Sequence, residues 1–284
     1  MNSTTVRFIR AAASASSALS PELGAGLLHR LFTTPQPRRM PERERVWMEG
    51  AVGSRLQLED GRALQVWHWG EGGPSVLLVH GWGGAASQMA VFAEPLVALG
   101  CRVVAFDQPA HGSSDGKRTA VPDFARAIGA VTRAMGPFDG TIAHSLGASS
   151  ALLALHQGAS LGRLAAIAPA ENLPGYLAHT AALLGFPESV MAPVKEQIAK
   201  RWGARVDDVR PGRFAPTLRA PGLVVHDADD REVAIAEGRA IADGWADATL
   251  LETQGLGHRR ILRDPDVIAA VLGFVTRRSA SIAA

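Results

Sequence analysis

The stretch Ile142-Ala143-His144-Ser145-Leu146-Gly147-Ala148 joins an apolar, strand-like run ending near Ala143 to a helix-forming run that begins at Leu146. Between the two stands one serine, with Ala143 and Gly147 two residues away on either side. A chain that passes from strand to helix through a single residue strains that residue toward positive φ, and its neighbours must be small. A serine at such a turn projects its hydroxyl above the sheet, where the free N–H groups of the following helix converge. Serine is also a favoured helix N-cap. These seven residues therefore admit a capping and a nucleophilic reading, and the rest of the chain must separate them.

At 284 residues the chain fits one large domain or two small ones. Its 47% hydrophobic and 20% charged residues describe a soluble globular protein with an ample core. A formal net charge of +2 implies no general attraction to nucleic acid. The single cysteine, Cys101, excludes an internal disulfide framework, and its place ahead of the run Arg102-Val103-Val104-Ala105-Phe106 predicts buried packing. Arg7 and Arg10 precede an Ala/Ser-rich stretch, but Ser14, Ser16 and Ser17 interrupt the apolar core that a secretory signal requires. No apolar run approaches the roughly 20 residues needed to span a bilayer. A cytoplasmic protein without a transmembrane segment is expected.

Residues 1–45 read as an N-terminal helix and connector. Ser20-Pro21-Glu22 is a helix start, with an N-cap serine, a proline at the first helical position and an acid near the positive end. Leu19, Leu23, Leu27 and Leu31 follow at helical spacing, beside Leu28 and Phe32, and the pattern stops before Pro35. Such a stripe is expected to pack on its own protein, a membrane or partner surface being the alternative.

Residues 54–58 and 63–67 alternate around Glu59-Asp60-Gly61 as a β-hairpin. From Val76-Leu77-Leu78-Val79 onward, continuous apolar strands alternate with helices, expected at residues 87–99, 122–135, 146–156, 233–245 and 265–275. The fold class is α/β: a doubly wound, mostly parallel sheet preceded by an antiparallel hairpin. Residues 46–168 and 217–284 form this core. Residues 169–216 interrupt the rhythm with helices expected at 173–184 and 187–202, and no good strand. They read as a small helical cap over the carboxyl ends of the strands, where open α/β sheets hold their ligands. An extra helical layer away from any site is the alternative.

A serine hydroxyl needs a histidine to take its proton, and that histidine needs an acid to fix its tautomer. Of nine histidines, His258 stands out. It follows a glycine-bearing loop off the last strand and lies just ahead of the closing helix. The preceding strand ends in His226-Asp227-Ala228-Asp229-Asp230, which supplies three candidate acids. His80-Gly81-Trp82-Gly83-Gly84 can turn backbone N–H groups inward, so that the N–H of Trp82 joins that of Leu146 as an oxyanion hole. Neither a Gly-x-Gly-x-x-Gly nor a phosphate-loop lysine pattern is present, which argues against phosphate cradling.

With these pieces in order, residues 52–276 resemble the α/β-hydrolase superfamily, in its serine-nucleophile, esterase- or lipase-like branch. The resemblance rests on His80-Gly81, Asp107-Gln108-Pro109-Ala110-His111-Gly112-Ser113-Ser114, Ala143-His144-Ser145-Leu146-Gly147, Asp227-Ala228-Asp229-Asp230 and Gly257-His258. It implies that Asp107 and His111 shape the loop beside the elbow. Two positions depart from the family pattern: Ala143 replaces the usual first glycine, and Asp227 replaces the glycine of Gly-x-x-Asp. Alignment on that motif makes Asp230 the acid, with Asp229 and then Asp227 as alternatives. The resemblance implies a serine hydrolase acting on a small-molecule carboxylic ester or related acyl substrate, with Ser145, His258 and Asp230 as its triad. It implies no metal or organic cofactor. Thioesterase, amidase, acyltransferase and carbon–carbon hydrolase chemistry would use the same residues. A hydrolase-fold binding protein without catalysis is the rival of a different class.

Overall fold

Burial along the strands separates the two parts of the sheet. β1 (Val52–Gln57) is largely exposed at the edge and pairs antiparallel with β2 (Ala63–Trp69). β3 (Ser75–Val79) is buried along its whole length, as a parallel strand covered on both faces must be. β4 (Arg102–Phe106), β5 (Gly140–His144), β6 (Arg163–Ile167), β7 (Gly222–Asp227) and β8 (Ala248–Thr253) complete an eight-stranded sheet of order β1-β2-β4-β3-β5-β6-β7-β8. β2 meets β4 antiparallel, and every later pairing is parallel. The computed structural model describes residues 3–277.

Successive side chains of a strand point to opposite faces, and the two faces build separate cores. Leu77, Val79, Phe106 and Ala143 pack under the helices Val121–Met135 and Leu146–His156. Val76, Leu78, Ile142 and Ile167 pack on Phe92 and Leu96 and on the closing helix Pro265–Val275. Each fully buried aliphatic or aromatic side chain contributes about 1.5–3 kcal/mol, so the central strands anchor whatever is mounted on their ends. Cys101 is buried beside Val103 and Leu96.

The helix expected over residues 87–99 is broken into Ala86–Met89, a 3-10 turn Ala90–Phe92 and Ala93–Ala98. Pro95 lies within it, and a proline there lacks an N–H and crowds the carbonyl four residues back, at Val91. The Ala/Ser-rich start, for which the sequence reading offers no helix, forms the helix Ser3–Leu19. The helix Pro21–Thr33 begins on Ser20, whose hydroxyl accepts from the N–H groups of Glu22 and Leu23. The leucine stripe packs in part: Leu27, Leu31 and Phe32 are partly buried on the protein, whereas Leu19 is 79% and Leu23 58% exposed. Gly24, Ala25, Leu28, His29 and Thr33 are the buried residues of the helix, and the small Gly24 and Ala25 let neighbouring helices approach closely.

That face joins residues 169–216 rather than the sheet. Ala13, Ala25 and Leu28 share a third core with Leu177, Val190, Val194, Ile198 and Trp202. These come from the helices Leu173–Leu183 and Met191–Trp202 and the 3-10 turn Glu188–Val190. Among the described residues no helix is long and apolar enough to cross a membrane.

Candidate active site

Ser145 occupies the turn between β5 and the helix Leu146–His156 at φ 54°, ψ −128°. Its N–H donates to the Ile167 carbonyl at 2.8 Å, which pins the strained residue to β6. The small residues around it are a matter of contact. A Cβ on Gly147 would lie 2.2 Å from the His80 carbonyl oxygen, and one on Gly81 would lie 2.9 Å from the Ser145 Cβ. The elbow and the loop after β3 therefore touch backbone to backbone.

Ser145 Oγ lies 2.9 Å from His258 Nε2, and His258 Nδ1 lies 2.7 Å from Asp230 Oδ2. An ionised carboxylate only accepts, so Nδ1 donates to Asp230 and Nε2 is left to accept from the serine hydroxyl. The other Asp230 oxygen accepts the N–H groups of Glu232 at 2.8 Å and Val233 at 2.9 Å. His226 Nε2, which donates to the Val233 carbonyl at 3.0 Å, stands 3.5 Å from Asp230 Oδ2. Burial pushes the Asp230 carboxyl up, but hydrogen bonds from His226, His258 and the Val233 N–H outweigh it and hold the group below the usual carboxylate range.

The other two candidate acids do not reach His258. Asp227 ends β7 and accepts the N–H groups of Asp229, Leu256 and Gly257 at 3.0, 3.0 and 2.8 Å, and the Thr253 hydroxyl at 2.7 Å. It holds the loop that presents His258. The exposed Asp229 accepts one N–H, that of Gly255, at 3.0 Å.

No acceptor among the described residues faces the N–H of Trp82 or Leu146, and the loop carrying Trp82 is braced from below. His80 Nε2 accepts from the Gln108 N–H at 2.9 Å, and His111 Nε2 accepts from the Gly83 N–H at 3.0 Å. Asp107 accepts from Ala86 N–H at 2.8 Å and Ser113 N–H at 2.9 Å. Burial pushes His80 down to about 4 and His111 down to about 3, so both rings stay neutral and can accept. Burial pushes the Asp107 carboxyl up.

His144 Nε2 donates to the His258 carbonyl at 2.9 Å, and the two rings lie 4.8 Å apart. It braces the His258 turn from behind. Burial lowers it to about 3, which keeps a second charge away from His258. The only signal in the sequence was its position beside the serine, on the opposite side of the strand.

Two cavities of different character open on Ser145, Trp82 and His258. One, of about 350 Å³, is apolar and lies beneath the third core, lined by Leu146, Val121, Leu173, Tyr176, Ile198 and Val233. The other, of about 470 Å³, is walled by Arg38, Arg43, Glu44, Arg259 and Arg263. A larger cavity of about 680 Å³ lies around Arg62, Asp123 and Arg126 and touches none of Ser145, Asp230 and His258. The apolar cavity is fixed to the core through Glu237, which accepts the Glu171 N–H at 2.6 Å, the Asn172 N–H at 2.8 Å and the Tyr176 hydroxyl at 2.7 Å. Glu171 in turn accepts the Gly212 N–H at 2.8 Å and faces Arg210 at 3.2 Å.

Residues 76–271 match the alpha/beta hydrolase family. The chain belongs to that family. Among solved structures, the Pyrococcus furiosus esterase Pf2001 is 19% identical with a TM-score of 0.65, covering 86% of this chain and 99% of its own. A membrane phospholipase A described as a novel bacterial virulence factor is 19% identical with a TM-score of 0.64, covering 97% and 98%. The mouse alpha/beta hydrolase domain-containing protein 10 is 18% identical with a TM-score of 0.63, covering 78% and 96%. At such identities the likeness is one of fold. Within the alpha/beta hydrolase family pattern, Ala143 stands where a glycine is usual, and its methyl is fully buried in the core beneath the helix Leu146–His156. The elbow accommodates that methyl without displacing Ser145 from β6.

Proposed function

We propose that the protein is a serine hydrolase that cleaves a carboxylic ester or related acyl compound through an acyl-enzyme. The observation that carries this reading is the unbroken hydrogen-bond chain from Ser145 through His258 to Asp230, with the serine held at positive φ. In this reading Ser145 Oγ attacks the carbonyl carbon while His258 Nε2 takes its proton. Asp230 holds the tautomer and stabilises the imidazolium. Negative charge on the former carbonyl oxygen meets the N–H groups of Trp82 and Leu146, and losing one such donor costs about 2.7–4 kcal/mol in the transition state. His258 then gives its proton to the leaving oxygen, and the carbon–oxygen bond breaks. Water, deprotonated by the same nitrogen, releases the acid and restores the serine. Residues 169–216, with the N-terminal helices packed on them, act as a cap that roofs the apolar cavity for the acyl chain.

The test is covalent labelling by a fluorophosphonate, together with hydrolysis of p-nitrophenyl esters. The natural protein is expected to label and to turn over ester, and Ser145→Ala to do neither. Absence of labelling in the natural protein, or labelling that survives Ser145→Ala, overturns the assignment.

A further inference from the structure

We propose that the arginine-walled cavity receives an anionic leaving group, so that the preferred substrates are acyl esters whose alcohol portion carries a phosphate or carboxylate. This rests on the reading of Ser145 as nucleophile. Two cavities converge on one hydroxyl, and an acyl transfer needs two: one for the acyl chain and one for the group that departs. The apolar cavity offers its walls of Leu146, Val121, Leu173, Ile198 and Val233 to hydrocarbon. An anion placed against that wall would lose its water with little in return.

The second cavity has the opposite character. Four arginines, Arg38, Arg43, Arg259 and Arg263, line it against two glutamates, Glu44 and Glu232. Both acids are engaged. The buried Glu44 pairs with Arg38 and accepts the Ser87 hydroxyl at 2.8 Å, and Glu232 pairs with Arg259 at 3.0 Å. Arg43 and Arg263 have no carboxylate partner among the described residues, and they approach from different parts of the chain. Arg43 belongs to the helix Glu42–Trp47, and Arg263 closes the 3-10 turn Ile261–Arg263 shortly after His258. Two guanidiniums without a carboxylate partner, brought to one cavity from different parts of the chain, suit a planar carboxylate or a phosphate, which accept paired N–H donors.

The orientation follows from the proton. His258 must protonate the departing oxygen, and the residues that follow it, Arg259 and Arg263, wall this cavity and not the apolar one. A leaving group lying here has its oxygen at His258 and its charge near Arg43 and Arg263. Both arginines are exposed at the cavity mouth, so their effect is moderate and screened by salt.

Three substrates of equal acyl length test this: monohexanoylglycerol, monohexanoylglycerol phosphate, and the glycerol monoester of adipic acid, which moves the charge to the acyl half. At low salt the phosphate ester is expected to exceed the uncharged ester about tenfold in kcat/KM. That ratio is expected to fall toward one with added sodium chloride and in the Arg43→Gln/Arg263→Gln double variant, and to return in part with lysine at both positions. Equal rates for phosphate and uncharged esters at low salt, a ratio that survives the double variant, or preference for the adipate ester would overturn the proposal while leaving Ser145 as nucleophile. Failure to hydrolyse any of the three, with no fluorophosphonate labelling, would overturn both readings.

Discussion

Replacing the three neighbouring aspartates one at a time separates the acid of the proposed triad from its supports. Asp230→Asn preserves size, and the amide oxygen can still accept the N–H groups of Glu232 and Val233 that Asp230 accepts at 2.8 and 2.9 Å. The amide nitrogen then faces His258 Nδ1 across the 2.7 Å contact. An NH₂ cannot accept, so the favoured tautomer carries its proton on Nε2, the nitrogen that faces Ser145. The base then has no lone pair for the serine, and the imidazolium loses its counter-charge. A tautomer error of this kind lowers kcat by about 10⁴ in a Ser-His-Asp enzyme, or about 5.5 kcal/mol. Asp229→Asn removes charge from one exposed contact to Gly255 and is expected to change kcat/KM less than threefold. Asp227→Asn weakens a carboxylate that gathers three N–H groups and a hydroxyl. Its expected signature is a lower unfolding midpoint, by about 1–3 kcal/mol, with a smaller loss of kcat than Asp230→Asn. The assay is ester hydrolysis for all three variants at saturating and limiting substrate, with urea unfolding in parallel. A loss in Asp229→Asn equal to or greater than that in Asp230→Asn would refute the reasoning.

Acid should destabilise the fold early, because burial holds His80 at about 4 and His111 and His144 at about 3. Between those values and the ordinary histidine value near 6.5, the unfolded chain binds protons that the folded chain refuses, so stability falls as pH falls, by about 1.4 kcal/mol per pH unit for each ring. The urea midpoint should therefore drop steeply from pH 6.5 to 5, and a flat profile would contradict neutral, buried rings. Ala143→Gly should lower stability by about 1–2 kcal/mol, from a lost buried methyl and the added chain entropy of glycine in a strand, with kcat/KM nearly unchanged. A rise in the unfolding midpoint would mean that the methyl crowds the turn.

What could be read from the sequence is what local chemistry writes. The elbow around Ser145 and the hairpin around Glu59-Asp60-Gly61 each follow from neighbours in the chain, and the closing helix falls at Pro265–Val275 as its N-cap Asp264 dictates. The packing of the N-terminal helices was not legible in this way. Of the leucine stripe, Leu27 and Leu31 pack on the protein beside Leu28 and Phe32, while Leu19 and Leu23 stay exposed, and which of them are covered depends on partners such as Val194, far along the chain. The Ser3–Leu19 helix was hidden because alanine promotes helix by backbone preference rather than by apolar periodicity. Motif spacing ranked the three aspartates, but only the strand ends and the loop after β8 bring Asp230 to His258 and turn Asp227 to the loop. His144 acts through a carbonyl 114 residues away, and Arg38 and Arg43 meet Arg263 only across the folded molecule. Neither relation has a local pattern.

The clasp of Glu171 and Glu237 has a bearing on how such a protein can change over generations. Glu171 at the start of the helical segment grips Gly212 and Arg210 near its end, and Glu237, on the helix Ile235–Gly244, fastens that start to the core. The two ends of the segment are thereby closed onto each other at their root. Once a loop is closed, doubling its length adds only about 0.6 kcal/mol of chain entropy. Residues between these carboxylates can be lengthened, shortened or exchanged while the strands that carry Ser145, Asp230 and His258 are left in place. Selection can then reshape the apolar cavity without disturbing the residues below it.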